Sequence, residues 1–230
     1  MVQLSVIIPT YNEALHIRNT IEHIQSVASG EVLLEIIVVD GGSNDETFTI
    51  TQTLNVKSYK APKKGRAAQM NFGAAQATGE VFYFLHADTL PPKSFDLHII
   101  QAVEKGKGAG SFRMQFTSKS WFLKLLTWFT KFRWTIANYG DQSLFVLEDV
   151  FKTIDGYDET MLLMEDNEII SHIKKQCKFT VIPKKVTTSN RRYIKNGALK
   201  LQTVFLLITI MYWLGFSQKR LMKVYRKWII

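Results

Sequence analysis

Runs dominated by apolar, β-branched residues at 4–8, 35–39 and 81–85, with a weaker one at 56–59, alternate with stretches of helical spacing. Leu4 to Ile8 is apolar almost throughout, the pattern of a strand covered on both faces, and Pro9 ends it. Ala14, Ile17, Ile21, Ile24 and Ala28 then recur at steps of three and four, which predicts an amphipathic helix. Glu35 to Val39 repeats the strand pattern and stops at Asp40-Gly41-Gly42, with Ser43 or Asn44 placed to cap a second helix. Val56 to Tyr59, a helix from about Gly65 to Ala77, and Val81 to Leu85 closed by His86-Ala87-Asp88 complete the series. Such alternation predicts an α/β fold with a mostly parallel, doubly wound sheet, Rossmann-like in layout. Ligands bind these sheets beyond the carboxyl ends of the strands, where Asp40 and Asp88 both stand.

The second half is less regular. Ala109–Phe116 reads as a strand, Trp121–Trp134 as an aromatic and lysine-rich helix, and Met164–Lys175 as a further helix. The last 35 residues read as two helices broken near Gly215-Phe216-Ser217. A length of 230 residues, 46% of them hydrophobic, suits one α/β domain with a short helical appendage.

Charge is distributed unevenly. Of the net +9, all can be assigned to the tail: Arg191, Arg192, Lys195, Lys200, Lys219, Arg220, Lys223, Arg226 and Lys227, with no acid after residue 190. A neutral body with a basic tail suits an anionic surface or phosphates, not a coat for nucleic acid. The longest apolar run, Val204–Phe216, spans roughly 20 Å as a helix, short of the ~30 Å hydrocarbon core. No membrane span is predicted. The short run Leu4–Ile8 lacks the length and basic flank of a secretory signal, and the lone Cys177 points to a reducing compartment.

Several constellations carry two readings each. Asp40, ahead of two glycines, either holds a ribose or base or caps its own turn. His86 and Asp88 project to one side of an extended segment and either ligate a divalent cation or pack as a capped turn. Glu165-Asp166 supplies a general base or complements a helix dipole. Lys63-Lys64-Gly65-Arg66 and Arg191-Arg192 are cation clusters that match diphosphates or simply face water. GxGxxG and GxxxxGK[ST] are both absent, as are ribonucleoprotein and zinc-finger spacings.

In order along the chain, SVIIPTYNE (5–13), IIVVDGGSNDET (36–47), GRAAQMNFGAAQATG (65–79) and LHAD (85–88) resemble the nucleotide-binding half of family 2 glycosyltransferases of the GT-A fold. Gly140-Asp141-Gln142, Met164-Glu165-Asp166 and Ser189-Asn190-Arg191-Arg192 are similar to the acceptor-side motifs of the short bacterial "transferase 2" subgroup. The resemblance implies a domain over 1–192, with a nucleotide-sugar-binding half 1–105 and an acceptor half 106–192, followed by a basic amphipathic tail 193–230. It implies that Pro9, Tyr11 and Glu13 border the nucleoside, that Asp40 holds the base or ribose, and that Lys64 and Arg66 lie near the diphosphate. Asp88, with His86 in place of the first Asp of DxD, matches the metal site for Mn²⁺ or Mg²⁺. Asp166 matches the catalytic base, with Glu165 beside it. Asp141, Gln142, Arg191 and Arg192 border the sugar, acceptor or diphosphate. Ser-Asn-Arg-Arg-Tyr stands near the place of the Gln-x-x-Arg-Trp signature of processive synthases, which implies transfer of a single sugar.

The expected chemistry is an inverting, metal-dependent transfer from a nucleoside-diphosphate sugar to an acceptor hydroxyl. Leu221, Val224, Tyr225 and Trp228 oppose Lys219, Lys223, Arg226 and Lys227 in the pattern of an interfacial helix on anionic lipid. Trp121, Phe122, Leu125, Trp128, Phe129 and Phe132 form a second aromatic stripe. The other reading of both stripes is packing inside the domain. The membrane reading implies a lipid-linked acceptor and a cytoplasmic protein, peripheral at the inner face of the cell membrane. The alternative is a non-catalytic, membrane-associated nucleotide-sugar-binding protein of the same fold.

Overall fold

A computed structural model describes residues 2–117 and 143–229. In chain order the described elements begin with β1 (Gln3–Thr10), α1 (Ile17–Val27), β2 (Leu33–Asp40), α2 (Thr47–Gln52), β3 (Lys57–Lys60) and α3 (Arg66–Gln76). They continue with β4 (Val81–Phe84), β5 (Thr89–Leu90), α4 (Phe95–Glu104), β6 (Ala109–Phe116), β7 (Leu144–Leu147), α5 (Glu148–Thr153), α6 (Glu165–Gln176) and β8 (Phe179–Thr188). The tail holds α7 (Arg191–Asn196), α8 (Ala198–Trp213) and α9 (Gln218–Trp228).

One sheet runs in the order β3-β2-β1-β4-β7-β6-β8-β5. The first four strands are parallel, as the alternation predicts. Beyond them the sheet is mixed: β7 runs antiparallel to both neighbours, β6 and β8 are parallel, and β5 closes the edge antiparallel to β8. Strand β8 is hard to read from sequence because Pro183 and Lys184 interrupt it. The register jumps there, from Phe112 opposite Ile182 to Arg113 opposite Lys185, so the proline falls in a bulge where no ladder N–H is needed.

The period-2 and period-3.6 patterns explain the layers. Leu4, Val6 and Ile8 face Ile17, Ile21 and Ile24 of α1 and Phe95 and Ile99 of α4, all fully buried. Ile7, Phe82 and Phe84 face the opposite way, against Ala67 and Met70 of α3 and Ile169 and Ile173 of α6. Each such isoleucine contributes about 1.5–3 kcal/mol by leaving water. Gly73 sets the height of α3: a Cβ there would stand 2.5 Å from Ile7 Cγ2. That close seating, with Gly65 turning into the helix at φ +125°, brings Arg66 to the carboxyl rim of the sheet.

The tail packs on the domain. Leu201, Val204, Ile208, Leu221 and Ile229 form a small core of their own, against Leu163, Met164 and Tyr193. Gln218 Oε1 accepts hydrogen bonds from the N–H groups of Leu162 and Leu163, both at 3.1 Å. The apolar face of α9 is thus turned inward at Leu221 and half-buried at Tyr225, while Trp228 is exposed. Most of the tail's other outward apolar residues lie on and just after α8, among them Leu206, Ile210, Trp213 and Leu214. Among the described residues no helix is long and apolar enough to cross a membrane. The stripe Trp121, Phe122, Leu125, Trp128, Phe129 and Phe132, and the site candidates Asp141 and Gln142, lie outside the described residues.

Candidate active site

Two adjoining cavities open at the carboxyl rim. The first, about 540 Å³, is lined by the ends of β1 and β2, the start of α3, the His86–Asp88 turn, the start of α7, and residues of α8 and α9. Pro9, Tyr11, Glu13, Lys64, Arg66, His86, Asp88, Arg191 and Arg192 all line it, so nine sequence candidates are brought to one space. The second, about 350 Å³, lies over the first turn of α6 and contains Glu165 and Asp166. Arg66, Arg192, Phe205 and Met222 line both.

Two arginines organise the polar groups. Arg66 donates from Nε to Glu165 Oε1 and from Nη2 to Asp166 Oδ2, each at 2.5 Å. Its Nη1 lies 3.3 Å from His86 Nε2, and a guanidinium only donates, so that ring nitrogen is the acceptor. Arg191 grips both carboxylate oxygens of Glu13, at 2.8 Å from Nη1 and closer from Nη2, and its Nη2 stands 3.4 Å from Asp88 Oδ2. The short pairing of β5 with β8, Thr89 opposite Thr188, is what carries Asp88 to the start of α7. Residues about a hundred apart in sequence, Arg66 with Glu165 and Asp166 and Arg191 with Asp88, therefore meet at this rim.

Glu165 is buried. Burial pushes its carboxyl upward, but the Arg66 guanidinium and its own backbone N–H hold it below the ordinary carboxylate range. Both acids sit in the first turn of α6, where the helix dipole also favours negative charge. Met164, which caps that helix, has a left-handed backbone at φ +69°. A non-glycine residue held this way costs on the order of 1–3 kcal/mol and marks a turn that its surroundings enforce.

Asp40 is placed differently. It is buried, and its oxygens accept from the N–H groups of Gly42 and Ser43 and from the Ser43 hydroxyl. Its neighbour Gly41, not Asp40, lines the first cavity. The carboxylate shapes the β2–α2 loop.

Among the described residues no cluster of three or more His, Cys, Asp or Glu side chains forms a self-sufficient metal site. Asp88 and His86 nevertheless offer an oxygen and an imidazole donor to one cavity. That set fits a divalent cation that completes its coordination with phosphate oxygens, provided Arg66 yields His86 Nε2.

Residues 5–157 match the family described as Glycosyl transferase family 2. The chain belongs to this family. A probable glycosyltransferase of Bacillus subtilis (strain 168), YdaM, is 26% identical over 191 residues, covering 73% of this chain and 45% of the relative. A dolichol-phosphate mannosyltransferase of Pyrococcus furiosus is 32% identical over 109 residues, 45% of this chain and 31% of its own length. The chain thus spans less than half of either relative. Among solved structures, S. aureus TarS 1–349 in complex with UDP superposes with a TM-score of 0.70 at 18% identity, over 81% of this chain and 60% of that one. The mannosyltransferase PcManGT of Pyrobaculum calidifontis, in complex with GDP-Man and Mn²⁺, gives 0.70 at 20% identity, over 90% and 62%. These likenesses show that the family 2 chain has the GT-A fold.

Some lining residues of this GT-A domain escape sequence reasoning. Gln69 is buried beneath the first cavity and donates from Nε2 to the carbonyls of Thr10 and Val39, both at 2.8 Å, tying β1 to β2. A glutamine among the small residues of 65–79 is the one signal for it. Tyr225, Met222 and Arg226 reach the cavities from α9. Helical periodicity assigns Arg226 to a solvent face, and only docking of the tail reveals where that face lies.

Proposed function

We propose that this chain is a glycosyltransferase moving a single sugar from a nucleoside-diphosphate sugar to an acceptor hydroxyl, with inversion at the anomeric carbon. The observation that supports this reading is the pair of cavities, one bearing Asp88 and the other Asp166, that meet at Arg66 and Arg192. Pro9, Tyr11 and Glu13 border the nucleoside, and the loop shaped by Asp40 closes around it. Lys64 and the arginines face the diphosphate, where planar guanidinium donors match paired oxygens. Asp166 accepts the acceptor proton as the hydroxyl oxygen attacks the anomeric carbon, and the bond from that carbon to the diphosphate oxygen breaks. Base and leaving group on opposite sides give a single in-line displacement, hence inversion. Arg66 holds Asp166 in place and Glu165 holds Arg66. A divalent cation, Mn²⁺ or Mg²⁺, would be held by Asp88 and His86 and would offset the charge of the departing diphosphate.

The acceptor is lipid-linked and the protein sits peripherally on an anionic membrane surface, at the inner, cytoplasmic face. Six tail cations outside the cavities, Lys195, Lys200, Lys219, Arg220, Lys223 and Lys227, and the outward apolar residues of α8 support this placement. Flotation with anionic liposomes at low salt tests it: protein that stays at the bottom overturns it. For the chemistry, Asp166→Asn is expected to lower turnover 10²–10⁴-fold while donor binding persists. Near-normal turnover in that variant removes Asp166 as the base. Slow hydrolysis of a nucleotide sugar with Mn²⁺ separates an enzyme from a pure binder, which shows none.

A further inference from the structure

The geometry points to the second cavity as a chamber for the apolar body of an amphiphilic acceptor, whose reacting hydroxyl lies at Asp166. This rests on the transfer reading above and names the acceptor class. The chamber's charged side chains are Arg66, Glu165, Asp166 and Arg192. The rest of its wall is mostly apolar, with Leu163, Phe205, Ile208 and Met222, and holds Asn167 and Thr209 as its uncharged polar members beside the Tyr225 ring. A free saccharide filling this space leaves most hydroxyls facing carbon, and buried unpaired hydroxyls disfavour binding. An alkyl chain gains affinity with each methylene it buries.

The chamber is built, not left over. Its floor is the strained Met164 turn, and its wall is the tail, fastened at Gln218 to the backbone of Leu162 and Leu163. Arg66 and Arg192, shared with the first cavity together with Phe205 and Met222, bring the charged part of the chamber to the donor side. A hydroxyl on a long apolar body is productive with its head at Asp166, beside Arg66 and Arg192, and its body under α8 and α9.

The test compares n-octyl and methyl β-D-glucoside, below the micellar concentration of the former, by calorimetric titration of the full chain. Octyl glucoside is expected to bind at least 10-fold tighter, a difference of ~1.4 kcal/mol. Thr209 lines the chamber beside the apolar wall and is only half-buried. Thr209→Trp fills the space and is expected to bring the ratio near one, with binding of UDP-glucose or GDP-mannose in Mn²⁺ unchanged. The smaller filler Thr209→Leu carries the same expectation in reduced size if the tryptophan variant does not fold, and the isosteric Thr209→Val keeps the full ratio. Leu214→Glu, on the outer face, also keeps it. A ratio near one in the parent protein, or loss of preference in Leu214→Glu with retention in Thr209→Trp, overturns the chamber. If no nucleotide sugar binds or is hydrolysed while the Thr209-dependent preference persists, the chamber stands and the transfer reading falls.

Discussion

The two rims of the parallel half-sheet use the same kinds of residue to opposite ends. At the amino rim, Glu35 accepts from Ser5, Thr78 and Lys57, the last at 2.6 Å, and together they satisfy one another at the edge of the sheet. At the carboxyl rim, Glu13, Asp88, Glu165 and Asp166 are held by Arg66 and Arg191, and all of these side chains line open space. The first cluster is closed and contributes stability. The second keeps its charges beside cavities, where a ligand can exchange places with an arginine. The strand ends, not the residue types, make the difference, because only the carboxyl ends open onto the cavities.

Four measurements sharpen or break this contrast, beginning with the largest effect. Arg66→Met leaves Glu165 buried without its guanidinium and is expected to destabilise the fold by about 3–5 kcal/mol in denaturant titrations. A change below about 1 kcal/mol means the carboxyl rim is not held together by that pair. Leu221→Ala removes the centre of the tail core and is expected to weaken tail docking by about 3 kcal/mol. Hydrogen exchange then shows the α8 and α9 amides losing protection while β1 and β2 keep theirs, and equal loss in the sheet refutes a separate tail core.

The amino rim is tested by acid. Glu35 is partly buried, which raises its carboxyl, yet Lys57, Ser5 and Thr78 together hold it down to about 2. A depressed carboxyl stabilises the fold above its unfolded value near 4.5, and that contribution fades as pH falls from about 4.5 toward 2. Glu35→Gln is expected to lower stability at pH 7 by about 1–2 kcal/mol, since Lys57 is open to water, and to flatten the pH dependence across that window. An unchanged acid profile shows that the closed cluster contributes little. The smallest effect is expected at Arg226→Ala, with donor KM raised about 10-fold and stability altered by less than about 0.5 kcal/mol. If KM does not move, the tail shapes the second cavity only.

How much was legible follows the range of the forces involved. Buried strands β1, β2 and β4, helices α1 and α3, and the tail break at 215–217 are local patterns, and the structure has them where the periodicity predicts. The Asp88 and Asp166 segments were also readable as carboxylates in suggestive settings, but not their partners. Nothing near Arg66 in sequence announces Glu165 and Asp166, about a hundred positions away. Strands β7 and β8 escaped because one is four residues long and the other is split by Pro183 at a bulge. Asp40 shows the reverse problem: its two readings differ only in where two oxygens point, and the structure turns both toward its own loop.

The amino-acid order by itself determined the alternation of buried strands and amphipathic helices, and with it which strand ends carry acids, since side-chain period depends on local backbone geometry alone. Tertiary structure decided that α9 turns Leu221 inward and brings Tyr225 and Arg226 to the cavities. A helix with one apolar face buries it equally well against lipid or protein; which of the two it meets depends on the shape of a surface assembled from distant segments.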